Sequence, residues 1–176
     1  MNVKTASYAS PEIHSIAPAP GGASQWVLFL LDTGRYALPL SVVERVTLAA
    51  QITPLPGAPA VVLGVVAVAG RVLPVFNLRQ RFGLRQRALQ PEDHFLIARA
   101  ADRAVVLAID VAAGLIEGTS AEVIRSERIT RDVPHIHGVI TRADGLVLIH
   151  DLDEFLSAAE ARKLDDALHR EARHDN

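Results

Sequence analysis

The chain has no cysteine and few aromatic residues. Its 176 residues include one Trp, and only 5% are Phe, Trp or Tyr. Without cysteine there is no disulfide, no thiol nucleophile and no Cys-ligated zinc or iron–sulfur site. A net charge of −2 and the scarcity of rings argue against nucleic-acid binding, which uses basic surfaces and stacking side chains.

Catalytic and membrane-spanning motifs are also missing from the sequence. Gly64 and Gly70 lack the spacing of a phosphate-binding loop, and no serine lies in a G-x-S-x-G motif. Residues 55–70 are all apolar, Gly or Pro, but two prolines interrupt the run. A membrane-spanning helix needs about 20 such residues, so we interpret the run as buried strands. We expect a cytoplasmic protein that does not insert into the membrane.

One pattern leaves a metal site open. His135 and His137 are two residues apart, and on a strand such side chains lie on one face. His150, Asp151 or Asp153 would complete the ligand set. The alternative is an exposed loop in which neither histidine binds an ion. A small metal-dependent enzyme centred on this pair therefore remains an alternative hypothesis.

Aliphatic residues dominate what is present. The chain is 49% hydrophobic, mostly Val, Leu, Ile and Ala. Apolar runs separated by short turn signals predict hairpins within residues 26–40, 63–76, 94–110 and 139–150. We also predict a short helix over 41–46 with Ser41 as its N-cap, and a helical tail from Leu152 to about Arg173. Residues 1–24 are interpreted as a flexible leader.

A weak internal repeat indicates two similar units. Residues 64–82 align with 138–156 at an offset of 74, which places Gly64 on Gly138. The hairpin that begins at Arg35 matches the one that begins at Arg103, at an offset of 68. We predict one β unit over about 25–90, a second over about 91–157, and a C-terminal helix and tail over 158–176. The exact exchange of strands between the units is left open, and chance agreement among Val-rich strands is the alternative.

Several separate motifs then resemble one family. They are I-T-P-L-P-G-A-P at 52–59, G-V at 64–65, G-R-V-L-P-V-F-N-L-R at 70–79, R-Y-A-L-P at 35–39, H-F-L-I at 94–97 and G-V at 138–139. Over about residues 25–157 the chain resembles the CheW-like family of chemotaxis coupling proteins. The resemblance implies a mainly β fold of two SH3-like five-stranded barrels side by side. It also implies a non-enzymatic adaptor that needs no cofactor.

The resemblance further implies partners and a binding surface. The partners are the regulatory domain of a CheA-type histidine kinase and the cytoplasmic tip of a methyl-accepting chemoreceptor. The free protein is expected to be monomeric and cytoplasmic, and to be recruited to membrane-associated receptor arrays. By position in the motifs, the predicted protein-binding residues are Val43, Arg45, Gly64, Ala69, Gly70 and Arg71.

Three positions depart from the family's usual pattern. Ala69 replaces an Arg, Asn77 replaces an Asp, and Arg45 stands at a commonly acidic position, directly after Glu44. Asn77 is still expected to cap the following helix. The departures leave open a CheW-like protein of a non-motility chemosensory pathway with a different partner.

A basic stretch follows the main motif, with arginines at 79, 81, 85 and 87. We interpret this stretch as a solvated face or as a patch that meets an acidic protein surface.

Overall fold

A computed structural model describes residues 23–119, 123–125 and 136–174 of the chain. In these residues eleven strands form two sheets, and helices are few. The strands are β1 Ala23–Leu31, β2 Gly34–Pro39, β3 Val43–Leu48, β4 Val62–Val68, β5 Arg71–Asn77, β6 His94–Ala100, β7 Arg103–Ile109, β8 Val111–Thr119, β9 Val123–Arg125, β10 Ile136–Arg142 and β11 Gly145–His150. The helices are a 3₁₀ turn Leu40–Val42, α1 Leu78–Arg81 and α2 Ala158–His174.

The two sheets do not follow the predicted halves of the chain. The six-stranded sheet has the order β8-β1-β2-β11-β10-β9, and the five-stranded sheet has the order β3-β6-β7-β5-β4. Hairpin β1–β2 thus joins strands from the second half, while hairpin β6–β7 joins strands from the first. The mainly β fold with two β subdomains is confirmed. The exchange of strands that the sequence left open places the first hairpin of each predicted unit in the sheet of the other.

Strand alternation explains why the apolar runs look continuous. In β1, Trp26 and Leu28 point into the core of the six-stranded sheet. Val27 and Phe29 point the other way, into a larger core between the two sheets. Strands buried on both faces lose the polar alternation of a half-exposed strand. The described residues therefore form three apolar clusters, since the five-stranded sheet also has its own core.

The internal repeat is visible in the backbone. Pairing of β4 with β5 is irregular between Val62 and Gly64, and pairing of β10 with β11 is irregular between Ile136 and Gly138. The two bulges therefore occupy positions that the sequence alignment makes equivalent. Likewise β5 pairs with β7 in parallel, and β11 pairs with β2 in parallel. This correspondence supports two similar units that exchange their first hairpins.

Gly64 lies where the five-stranded sheet closes on itself. Thr53, in the segment after β3, donates its backbone N–H to the Val65 carbonyl at 2.9 Å and accepts from Val65 N–H at 2.8 Å. The chain thus leaves one edge of the sheet and pairs with β4 at the other edge. Gly64 has φ +148°, and a Cβ there would overlap the Thr53 carbonyl. This close approach of backbone requires glycine.

Three local predictions need correction. Residues 43–48 form β3 rather than a helix, because they pair with β6 while Val43 and Val46 pack on the inter-sheet core. Ser41 is not an N-cap, because it lies inside the 3₁₀ turn Leu40–Val42, whose N-cap is Pro39. Residues 23 and 24, assigned to the leader, belong to β1, while residues 1–22 lie outside the described residues.

Helix α2 begins at Ala158 instead of Leu152 because a capping box fixes its start. Glu160 N–H donates to Ser157 Oγ at 3.2 Å, and Ser157 N–H donates to the Glu160 carboxylate at 2.9 Å. Leu164 and Ala167 are fully buried in the inter-sheet core. No helix within the described part of the chain is long and apolar enough to cross a membrane.

Candidate functional site

The turn between β4 and β5 projects from the five-stranded sheet. Val68 pairs with Arg71 across a two-residue loop, in which Ala69 has φ 48° and Gly70 has φ 77°. Two successive positive φ values are typical of a type I′ hairpin turn, where Asn-Gly is the preferred sequence. Ala69 and Gly70 are exposed, and Val72 is 65% exposed. The hairpin therefore presents a small apolar tip to solvent.

Beside this tip lies a cluster of three arginines around one carboxylate. Arg71 donates from Nη2 to the Glu44 carboxylate at 2.6 Å, and Arg99 Nη2 lies 4.0 Å from the same group. Arg45 is exposed and adds a third positive charge near Glu44. The hydrogen bond from Arg71 is the main cause that lowers the pKa of Glu44. We call Arg45, Arg71, Arg99 and Glu44 the basic rim.

Strand parity brings the rim together at one end of the curled sheet. Leu73 and Ile97 point into the core of the five-stranded sheet. Side chains two residues apart on a strand share a face. Arg71, two residues before Leu73, and Arg99, two residues after Ile97, therefore lie on the face that bears this core, at the open end of the sheet. Arg45 pairs with Ile97, which gives it that side as well, and Glu44 is the extra residue of a bulge in β3. The basic rim therefore lies at the open end of the curled five-stranded sheet.

The predicted binding residues divide into two groups. Arg45, Ala69, Gly70 and Arg71 lie at this end of the sheet, whereas Val43 is partly buried against the inter-sheet core. Gly64 is buried five residues before Ala69, roughly 16 Å along the strand, so it does not contact the tip. Its role here is the sheet closure described above.

Sequence reasoning missed Arg99 and gave Glu44 no role in the surface. The available signal for Arg99 was its position two residues after Ile97 at the end of a strand. That signal becomes useful only when the neighbouring strands are known.

Most of the basic stretch after β5 is not a solvated face. Buried Arg79 donates from Nη2 to Asp110 at 2.6 and 2.8 Å, and from Nη1 to Asp32 at 3.0 Å. Arg87 donates to Asp93 at 2.6 and 2.7 Å and to Asp110 at 2.7 Å. We call these two arginines and three aspartates the Arg79 network.

Four members of the Arg79 network, all but Asp32, line a cavity of about 240 Å³, but the network offers little binding capacity. Burial alone would raise the pKa of Asp93, yet the hydrogen bonds from Arg87 and from Gln90 N–H lower it. The hydrogen bond from Arg79 lowers the pKa of Asp32. Asp110 accepts from both arginines and from Asp32 N–H at 2.7 Å. These charges compensate one another, so the network joins α1 to the β1–β2 turn and to the β7–β8 link.

Two further arginines complete the stretch. Arg81 forms a bidentate pair with Glu160 at 3.0 Å, which joins α1 to α2. The side chain of Arg85 is exposed. Of the four arginines, Arg85 and Arg87 are exposed, but the Arg87 guanidinium is held by Asp93 and Asp110.

The metal hypothesis stays a prediction. His135 lies outside the described residues, and His137 is exposed on β10. His150 is buried, and its ring stacks on Phe82 with 4.2 Å between centroids. Asp153 accepts a hydrogen bond from Ala101 N–H at 2.5 Å. Within the described ranges no group of three or more His, Asp or Glu residues is placed to hold an ion.

Asn77 caps α1 as expected. Its side-chain oxygen accepts from Gln80 N–H at 3.2 Å, and its amide nitrogen donates to the Gln86 side chain at 2.7 Å. The second bond needs a donor, which an aspartate would not provide. The replacement of Asp at this position is therefore compatible with the local fold.

The family model for the CheW-like domain matches residues 25–160, a range that contains both sheets. The chain belongs to the CheW-like domain family. This CheW-like chain is 27% identical over 146 residues to "Chemotaxis protein CheW" of Treponema pallidum, covering 80% of this chain and 86% of that one. It is 26% identical over 133 residues to the protein of the same name from Helicobacter pylori, covering 75% and 81%.

A solved structure supports the fold of this CheW-like domain. The scaffolding protein TtCheW from Thermoanaerobacter tengcongensis superposes with a TM-score of 0.71 at 22% identity, covering 78% of this chain and 94% of that one. The CheW-like match ends at residue 160, so most of α2 lies beyond it.

Proposed function

We propose that this CheW-like protein is a non-enzymatic adaptor of a chemosensory pathway. It couples the cytoplasmic tips of methyl-accepting chemoreceptors to the regulatory domain of a CheA-type histidine kinase. The observation that carries the proposal is the family match over residues 25–160. The names of the relatives, chemotaxis protein CheW and scaffolding protein TtCheW, support it. The adaptor acts in the cytoplasm at membrane-associated receptor arrays, as a monomer when free and without a cofactor.

The exposed end of the five-stranded sheet supports a binding role. An apolar centre with a polar surround is the usual arrangement of a protein interface. The β4–β5 tip supplies the apolar part through Ala69, and the basic rim supplies the polar part. Each contact can be weak, because an array of many receptors and kinases raises the effective concentration of every partner.

Calorimetry with the two proposed partners tests the adaptor role. The purified chain is titrated with the CheA regulatory domain and, separately, with a receptor cytoplasmic fragment from the same organism. We expect dissociation constants of tens of micromolar or tighter, about −6 to −7 kcal/mol. Fluorescence of the single Trp26, buried in the six-stranded sheet, verifies that the protein is folded. Absence of binding to both partners would overturn the proposal.

A CheW-like adaptor with a different receptor partner is the second candidate. It is favoured by Ala69 at the tip and by Arg45 on the rim, both departures from the family's usual residues. Ala69→Arg tests this idea, with Ala67→Arg as a control at another exposed site of the same hairpin. If Ala69 sets receptor choice, only Ala69→Arg strengthens binding to a conventional receptor tip. Equal affinities for both variants would contradict it.

A further inference from the structure

The basic rim carries an excess of positive charge on a protein whose net charge is −2. Arg71 and Arg99 lie 2.6 and 4.0 Å from the Glu44 carboxylate, and Arg45 follows Glu44 directly in β3 as an exposed residue, so the rim's own charge is +2. We propose that the basic rim is a docking site for an acidic segment of a partner protein that presents at least two carboxylates. This inference rests on the proposed adaptor function and specifies the chemistry of one of its partners.

The geometry of the rim fits carboxylate recognition. Glu44 holds Arg71 by a 2.6 Å hydrogen bond and lies 4.0 Å from Arg99. Arg71 remains 48% exposed and Arg99 68% exposed, so both guanidinium groups are accessible from solvent. A guanidinium presents a planar fork of N–H donors that matches a carboxylate. Glu44 thus orients part of the rim without cancelling its charge.

The contrast with the Arg79 network shows why the rim is the better binding surface. In the network two arginines face three aspartates, which gives a charge of −1, and Arg79 and Asp93 are buried. In the rim the cations outnumber the carboxylate, and they are exposed. An acidic partner would compensate the rim, whereas it would compete with existing ion pairs in the network.

A protein suits this surface better than a nucleic acid. The exposed side chain of the tip beside the rim is the methyl group of Ala69, while Ala67 and Val72 lie on the opposite face of the hairpin from Arg71. Binding of single-stranded nucleic acid commonly uses aromatic rings for base stacking, and the residues of the rim and tip include none. Exposed arginine without stacking rings is instead typical of a protein interface, in which Arg is enriched relative to the rest of the surface.

Charge reversal at the rim is the decisive experiment. The variant Arg45→Glu/Arg99→Glu leaves the Glu44–Arg71 pair intact, and Arg162→Glu/Arg173→Glu, at two exposed positions of α2, is the charge-matched control. Each is titrated with the CheA regulatory domain, the receptor fragment and a poly-glutamate peptide. We expect the double variant to weaken binding of the peptide and of one partner by about tenfold or more. The control should change binding less than about twofold.

Removal of the rim's carboxylate gives the opposite expectation. Glu44→Gln raises the rim's charge from +2 to +3. The association rate with the acidic partner should therefore rise about two- to threefold, and its decrease with added salt should become steeper. A merely structural Glu44 would lower stability and leave the salt dependence unchanged.

The outcomes separate this proposal from the adaptor role. One outcome is that neither protein partner binds, while the poly-glutamate peptide binds wild type and not the double variant. The adaptor role is then overturned, and the rim remains supported as a site for acidic segments. If the partners bind wild type and the double variant equally well, the rim proposal is overturned and the adaptor role stands. Binding of a short duplex DNA to the rim more tightly than the peptide would also overturn it.

Discussion

Replacing Arg79 by methionine should lower the free energy of unfolding, because Arg79 links the two sheets. Arg79 follows β5 of the five-stranded sheet, yet it bonds to Asp32 in the β1–β2 turn of the six-stranded sheet. It also bonds to Asp110 in the link between β7 and β8. Methionine fills a similar volume, so the main loss is the charge and its hydrogen bonds.

The size of the effect follows from the exposure of the two aspartates. Removing one partner of a buried ion pair costs about 3–5 kcal/mol because the other charge is left uncompensated. Asp32 is 47% exposed and can regain water, while Asp110 keeps Arg87 at 2.7 Å. The loss of unfolding free energy should therefore lie near the lower end of this range, at about 3 kcal/mol. For a urea m-value of about 2 kcal/mol/M, the midpoint falls by about 1.5 M.

Urea denaturation followed by Trp26 fluorescence measures this loss. Arg85→Met is the matched control, because Arg85 lies in the same segment with an exposed side chain. Arg79→Lys should fall between wild type and Arg79→Met, since an ammonium cannot reproduce the guanidinium fork. If Arg79→Met loses less than about 1 kcal/mol, or no more than Arg85→Met, the network does not join the sheets as argued.

Four further variants or conditions test other parts of the fold. Gly64→Ala should cost at least about 2 kcal/mol of unfolding free energy in urea, because its Cβ meets backbone at a positive φ. Ala69→Asn should raise the melting temperature, with a gain of up to about 1 kcal/mol, since asparagine tolerates φ 48° better. Leu164→Ala should cost about 2–5 kcal/mol if α2 packs on the core, and an unchanged melting temperature would contradict that packing. Burial raises the pKa of Asp93, but the hydrogen bonds from Arg87 and Gln90 N–H and the charges of Arg87 and Arg79 together lower it further, so the folded pKa is lowered. Its contribution to stability is therefore complete above the usual aspartate value of about 3.9 and is lost as the pH falls through the lowered pKa. A urea series from about pH 5 to 2 should show this loss, and Asp93→Asn should reduce the slope.

The four hairpins were predictable because their signals are local. Apolar runs and short turns predicted β1–β2, β4–β5, β6–β7 and β10–β11 with ends that differ by up to three residues from the observed ones. The family predicted from the motifs was confirmed as well. β3 was missed because its residues Val43–Leu48 acquire strand structure by pairing with β6, about 50 residues later. Pairing at such separation leaves no signal in a short window.

The binding surface was only partly predictable. Arg45, Ala69, Gly70 and Arg71 came from motif positions, and the structure places them at one end of the five-stranded sheet. Arg99 joins them only because the sheet curls, which brings the ends of β3, β5 and β6 close together. The four arginines after β5 looked alike in sequence, yet burial and ion pairing separate Arg79 from exposed Arg85.

The sequence by itself determined the composition of the strands, the positions of their turns and the repeat with its equivalent glycines. These properties depend on residues close together in the chain and on the period of two that a strand imposes. Only the tertiary structure decided which hairpin completes which sheet. An apolar strand that is buried on both faces fits either sheet equally well by pattern. The same long-range pairing created the inter-sheet core, the Arg79 network and the basic rim, since each depends on which distant strands become neighbours.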